Sequence, residues 1–164
     1  GETIENFSPK FWFCNHPHLI DVYTSNGKII KYKLIKDLLE LIPEPTDILF
    51  IRTGFEKARD NKNYIFNNPG IEAEIGFWLR ENRSIKMIGL DFISLSSYRN
   101  RAEGRRAHKA FLCSYEKNGI TFDPIIIIED MKLSEFHEKL KNICVCPLRI
   151  KNGDGAPVTV LAWQ

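Results

Sequence analysis

Glu129 closes the isoleucine run Ile125–Ile128, Asp91 closes the apolar stretch Met87–Leu90, and His108 lies between them in chain order. A carboxylate at the end of a buried strand is disfavoured unless it is paired, protonated or bound to a cation. Two carboxylates and an imidazole form a common ligand set for zinc, manganese or iron, and the same groups can move protons. If the two strands are parallel neighbours, both acids reach one edge of the sheet, where ligands gather in α/β folds. A helix carrying His108 between those strands could face the same edge. Plainer readings stand beside this one. Asp91 could cap a following loop through backbone N–H groups. His108 could sit on a helix surface, and Glu129 could pair with Arg99, Arg101, Arg105 or Arg106.

The basic stretch Tyr98–Arg106 holds those four arginines. It reads as a solvated loop or as a clamp for a carboxylate-bearing substrate, since the guanidinium fork binds carboxylates bidentately. It lacks the aromatic interleaving of single-strand nucleic-acid grooves. His16 and His18 flank Pro17, which makes "NHPH" a stiff extended connector rather than a ligand pair. His137 falls in the polar segment "EFHEKL" and is expected to face solvent. The turn "KNGDG" is followed by a strand rather than a helix, so a phosphate loop is a poor reading, and Gly153 and Gly155 permit positive φ there.

The elements that must position these groups alternate. Strands are expected at Leu19–Thr24, over "KIIKY", at Asp47–Thr53, over "IKMIGLDF", at Ile125–Ile128, over "ICVCPLRI" and over "PVTVLAW". Asn26-Gly27 suits a two-residue hairpin turn between the first two. Helices are expected over Lys33–Ile42, stopped by Pro43 and Pro45, over Ile71–Asn82, over "AHKAFLCSYEKN" with Gly119 as its C-cap, and over "LSEFHEKL". The stretch "ISLSSYRNRAEGRR" reads as a long polar loop. The pattern is that of an α/β chain with a mixed β-sheet and flanking helices.

The bulk composition is ordinary. A chain of 164 residues with 43% apolar and 27% charged side chains suits one domain, residues 1–164, with a substantial core. A net charge of +2 gives no sign of a nucleic-acid or acidic-membrane partner. No apolar run approaches the roughly 20 residues needed to span a bilayer. The first ten residues contain no secretion signal, so a cytoplasmic location is expected. Cys14, Cys113, Cys144 and Cys146 then read as reduced, buried thiols, with a disulfide or metal role as the alternative. Cys144 and Cys146, two apart on a strand, point to one face.

Taken in order, "ILFIRTGF", "PGIEAEIGFWL", "MIGLDFISL", "AHKAFL", "IIIIEDM" and "CPLRIKNGDGAPVTVLA" resemble the cyclase family, which includes bacterial kynurenine formamidase and isatin hydrolase. The likeness covers nearly the whole chain. It implies a swivelling β/β/α fold and a metal-dependent hydrolase of amide or cyclic-amide bonds, assembled as a homodimer or other homo-oligomer. His108 matches the family's downstream histidine ligand, and Glu129 its strand-end glutamate, which binds metal and takes part in proton transfer. A divalent ion, zinc or manganese, would then compensate the buried acid. Asp91 and Ser94 match a polar Asp-x-x-Ser stretch near the site. Arg105 lies in an Arg-x-x-Gly-Arg-x-Ala-His segment (Arg101–His108) that resembles a variant branch. Asp91, Ser94 and Arg105 are accordingly expected on the substrate side, with a small amide or lactam as the ligand.

The departures are equally specific. The family's main metal motif, His-x-Gly-Thr-His-x-Asp, has no match in these residues and normally lies just upstream of the position of Gly1. The spacing from His108 to Glu129 exceeds that of kynurenine formamidase, with "CSYEKNGITFD" reading as an insertion. The expectation is therefore either a longer enzyme seen in part or a short form that keeps the fold as a catalytically inactive binding or scaffold protein.

Overall fold

The computed structural model describes every residue except Gly1, Asn26 and Glu138. Its centre is a four-stranded, all-parallel sheet in the order β2 (Pro17–Asp21), β4 (Ile48–Arg52), β6 (Met87–Leu90), β9 (Ile126–Ile128). Parallel strands buried on both faces read as continuous apolar runs, which is why "ILFI" and "MIGL" show no alternation. The two faces of β4 nevertheless sort by parity, as the pleat requires. Leu49 and Ile51 pack with residues of α1 (Tyr32–Glu40), α2 (Ala73–Asn82) and α3 (Arg101–Leu112), among them Leu39, Leu79 and Phe111. Ile48 and Phe50 pack with Cys14, Ile143 and Val145 of a second, antiparallel sheet. That sheet has the order β1 (Phe13–Cys14), β10 (Asn142–Pro147), β11 (Val158–Trp163). The layers are thus β, β and α.

Smaller pieces complete the chain. β3 (Ile29–Ile30) pairs in parallel with β5 (Gly70–Ile71). β7 (Tyr115–Lys117) and β8 (Ile120–Phe122) form a hairpin between α3 and β9. Acidic side chains from distant segments hold the helix starts: Glu72 accepts from Tyr32 N–H at 2.7 Å and Glu103 accepts from Ala73 N–H at 2.9 Å. Each meets one of the orphan donors at a helix N-terminus. Among the described residues no helix is long and apolar enough to cross a membrane.

Several local expectations are corrected. α3 begins at Arg101, inside the stretch expected to be a loop, because Asn100 caps it by accepting from Glu103 N–H at 3.2 Å. It ends at Leu112, and the expected helical continuation is the β7–β8 hairpin instead. Asn118 (φ 53°) and Gly119 (φ 76°) both take positive φ there, the requirement of a type I′ turn, so Gly119 is a hairpin residue and not a C-cap. β3 pairs with β5 and not with β2, so no hairpin joins β2 and β3. The expected Asn26-Gly27 turn involves Asn26, outside the described residues. The segment 133–140 forms turns, with no helix among its described residues. In "KNGDG" it is Asn152, at φ 57°, and neither glycine, that takes the left-handed conformation.

Candidate functional site

Each strand of the parallel sheet delivers a charged or polar residue to its carboxyl edge: Asp21 from β2, Arg52 from β4, and Asp91 and Glu129 directly after β6 and β9. β6 and β9 pair in parallel, so Asp91 and Glu129 do arrive at neighbouring strand ends. Their surroundings differ sharply.

Asp91 is fully buried and turned toward β4. It accepts from Thr53 N–H at 2.9 Å, Thr53 Oγ1 at 2.7 Å and Gly54 N–H at 2.6 Å. Its negative charge is satisfied by these donors and fixes the turn that leaves β4. Ser94 is half-buried. Its hydroxyl accepts from Ser96 N–H at 3.2 Å, and its carbonyl accepts from the Asn68 amide at 2.8 Å.

Glu129 lies beside α3. Its Oε1 accepts from Leu95 N–H at 2.7 Å and stands 3.8 Å from His108 Nε2. Among the described residues no arginine contacts it. Arg99 donates to Phe66 O and Asn67 Oδ1, Arg106 pairs with Glu103 at 2.7 Å, and Arg101 stacks over Tyr98. His108 Nδ1 is 2.9 Å from the Gly104 carbonyl, one helical turn back, and 3.2 Å from Ser96 Oγ. A carbonyl only accepts, so the proton belongs on Nδ1, and in the neutral ring Nε2 presents its lone pair to Glu129. Both side chains are about one-third exposed, so the pair opens to solvent. Arg105, one turn before His108 on α3, is exposed.

The pair has the geometry of two donors around one cation. A separation of 3.8 Å is too long for a hydrogen bond. Two ligand atoms each about 2.1 Å from a shared zinc-like ion stand roughly 3 to 4 Å apart. The contact from Nδ1–H to a backbone carbonyl is the usual support for a metal-bound imidazole. His108 and Glu129 therefore fit two positions of a divalent-ion site. Among the described residues no group of three or more His, Cys, Asp or Glu side chains is arranged to hold a metal ion.

The remaining strand ends make a separate polar cleft of about 420 Å³, lined in part by Asp21, Arg52, Thr53, Glu56, Lys57 and Ser134. Arg52 forks onto Asp21 at 2.6 and 2.9 Å, and this bond holds the Asp21 carboxyl below its usual range. Arg52 also donates to the Leu133 and Phe136 carbonyls. Burial pushes the Glu56 carboxyl up, but hydrogen bonds from Ser134 and the Leu133 N–H outweigh it and hold it low. These groups fasten the 133–136 turns to the sheet. His18 lies within β2 and His137 is exposed; neither contributes to the Glu129 site.

Sequence reasoning missed the supports of the pair, namely Ser96, the Leu95 N–H and the Gly104 carbonyl. Gly104 carried a usable signal: four residues before His108 on a helix, its carbonyl lies on the same face.

A family model described as "Putative cyclase" matches residues 1–97, more than half of the chain. Cyclase-like protein 1 of Arabidopsis thaliana is 26% identical over 149 residues, covering 84% of this chain and 54% of that protein. Cyclase-like protein 2 of Oryza sativa subsp. japonica is 32% identical over 113 residues, covering 65% of this chain and 38% of that protein. The chain thus spans about half or less of the length of these curated relatives. Among solved structures, isatin hydrolase A from Labrenzia aggregata superposes with a TM-score of 0.76 at 18% identity, over 98% of this chain and 64% of that one. A structure described as a potential metal-dependent hydrolase with cyclase activity gives 0.67 at 22% identity, over 99% and 70%. At these identities the structures establish the shared fold. With more than half of its length matched by the family model, the chain belongs to the cyclase family.

Proposed function

We propose that this chain serves metal-dependent hydrolysis of amide or cyclic-amide bonds, with His108 and Glu129 as two ligands of a divalent cation, zinc or manganese. The observation that carries the reading is the 3.8 Å approach of Nε2 to Oε1 with Nδ1 already engaged by the Gly104 carbonyl. In this reading the family's His-x-Gly-Thr-His-x-Asp motif would supply further ligands of the cation. The chemistry a bound cation supplies is polarisation of the amide carbonyl and a lowered pKa for water.

The chain's own groups have separable tasks. Leu95 N–H holds Glu129 Oε1 in place beside His108 Nε2, and Oε2 would be the oxygen that carries a proton toward the leaving nitrogen. Ser96 and Gly104 fix the ring of His108. Arg105, exposed on α3 one turn before His108, would orient a substrate carboxylate. Asp91 and Ser94 act on the substrate side indirectly, by holding the Thr53–Gly54 turn and the 94–96 loop. The fold and the family support a homodimer and a small-molecule partner as parts of the same reading.

Glu129→Gln in the intact gene product tests it. Elemental analysis should show bound zinc or manganese lost, and hydrolysis of N-formylkynurenine and of isatin should fall together with it. Full metal content in Glu129→Gln overturns the ligand assignment. A wild-type protein that binds the metal but hydrolyses neither compound would instead favour a binding protein on this fold.

A further inference from the structure

The outer face of the β1–β10–β11 sheet carries a pair of sulfurs that the Glu129 site does not use. Cys144 and Cys146 alternate with the buried Ile143 and Val145, so both point outward, and their Sγ atoms are 3.5 Å apart. Cys144 is half-buried and Cys146 is exposed. Cross-strand partners on the same face are Phe13 and Leu161 opposite Cys144, and Thr159 opposite Cys146. Phe13 and Leu161 are both about half exposed. Neither thiol is in a disulfide.

Two outcomes are chemically open to such a pair, and the strand geometry separates them. In an extended strand, residues i and i+2 lie about 6.6 Å apart at Cα, the upper end of what a disulfide spans without strain. Two sulfurs bound at about 2.3 Å to one tetrahedral ion stand about 3.8 Å apart, close to the spacing already present. Thiolates also select soft cations over hard ones.

We propose that Cys144 and Cys146 form a bidentate thiolate site for a soft d10 metal ion of the zinc and cadmium class, separate from the Glu129 site. Each thiol loses its proton to solvent as its S–metal bond forms, and solvent completes the coordination. Phe13 and Leu161 cover the apolar flank of Cys144.

The experiment titrates the chelator-stripped, reduced full chain with cadmium chloride and follows the ultraviolet thiolate-to-cadmium charge-transfer band. The band should saturate at one ion per chain. Cys144→Ser and Cys146→Ser should each abolish it, while Cys113→Ser and Glu129→Gln should keep it, which separates this site from the proposed catalytic one. On the wild-type protein, bound cadmium should protect Cys144 and Cys146 from iodoacetamide while Cys113 is alkylated, a readout that does not depend on any variant folding. Absence of the band in the wild type, its survival in the Cys144→Ser/Cys146→Ser double variant, or alkylation of the pair in the cadmium-loaded chain would each overturn the proposal.

Discussion

Arg80 of α2 reaches across the helix interface to three carbonyl groups, donating to Ala110 O at 2.8 Å, to Cys113 O at 2.9 Å and to Phe122 O. Two of these carbonyls belong to the end of α3 and the third to β8. One buried guanidinium therefore joins α2, the last turn of the helix bearing His108, and the hairpin that follows it. A cation at a helix C-terminus also complements the dipole there. Burial lowers the pKa of Arg80, so the charge is held at some cost and is offset by these acceptors.

Arg80→Met should destabilise the fold by about 2–4 kcal/mol, since it leaves buried carbonyls without donors. Arg80→Lys should recover only part of this, because an ammonium cannot reproduce the planar fork. Urea unfolding of both variants measures the difference. Equal stability of Arg80→Met and wild type would refute the anchoring role.

Asp91→Ala should cost about 2–3 kcal/mol, because it strands the half-buried Thr53 and Gly54 donors. Asp91→Asn keeps an acceptor and should cost less. If Asp91 contacted substrate and held no structure, thermal melting of Asp91→Ala would match wild type while only activity fell.

Gly104→Ala should damage the Glu129 site without touching either ligand. A Cβ at residue 104 would lie 2.5 Å from Ser96 Cβ and 3.1 Å from its Cα, so the 94–96 loop must move away from α3. Such overpacking costs about 1–3 kcal/mol. Because Ser96 contacts His108 and Leu95 donates to Glu129, metal affinity should drop more than stability alone explains. Adding Ser96→Gly removes part of the clash and should restore some of the affinity.

Alkaline pH should destabilise the protein through Cys14. Burial, aided by the charge of Asp47, pushes its thiol from 9.0 up to about 12. In the unfolded chain the thiol ionises near 9 while in the folded chain it stays neutral. Its contribution is therefore complete below pH 9 and is lost as pH rises toward 12. Cys14→Ala should flatten the fall in unfolding free energy over that window. An unchanged slope, measured by denaturant titration at several pH values, would show that Cys14 ionises as readily folded as unfolded.

The core and the edge of the sheet were legible because long apolar runs such as "ILFI" and "IIII" leave few alternatives to buried parallel strands. The approach of His108 to Glu129 followed from strand order and the family resemblance together, not from spacing alone. Local punctuation was the weaker part. Asn100 reads equally as a loop residue or a cap, and the Asn118-Gly119 turn signal was hidden inside an apparently helical window. The turns at 133–136 depend on Arg52 and Glu56, which are remote in sequence, so a pattern of period 3.6 in "LSEFHEKL" could not reveal that tertiary contacts override it.

The β7–β8 hairpin fills the chain between the two proposed ligands, yet their closeness is set elsewhere, by the register of β6 with β9 and by the seat of α3 on the sheet. Contour length along the backbone is thereby uncoupled from the gap that the two donors span. The tip at Asn118-Gly119 becomes a natural port for a grafted peptide or reporter, since cargo added there lengthens the tether without pulling on either end.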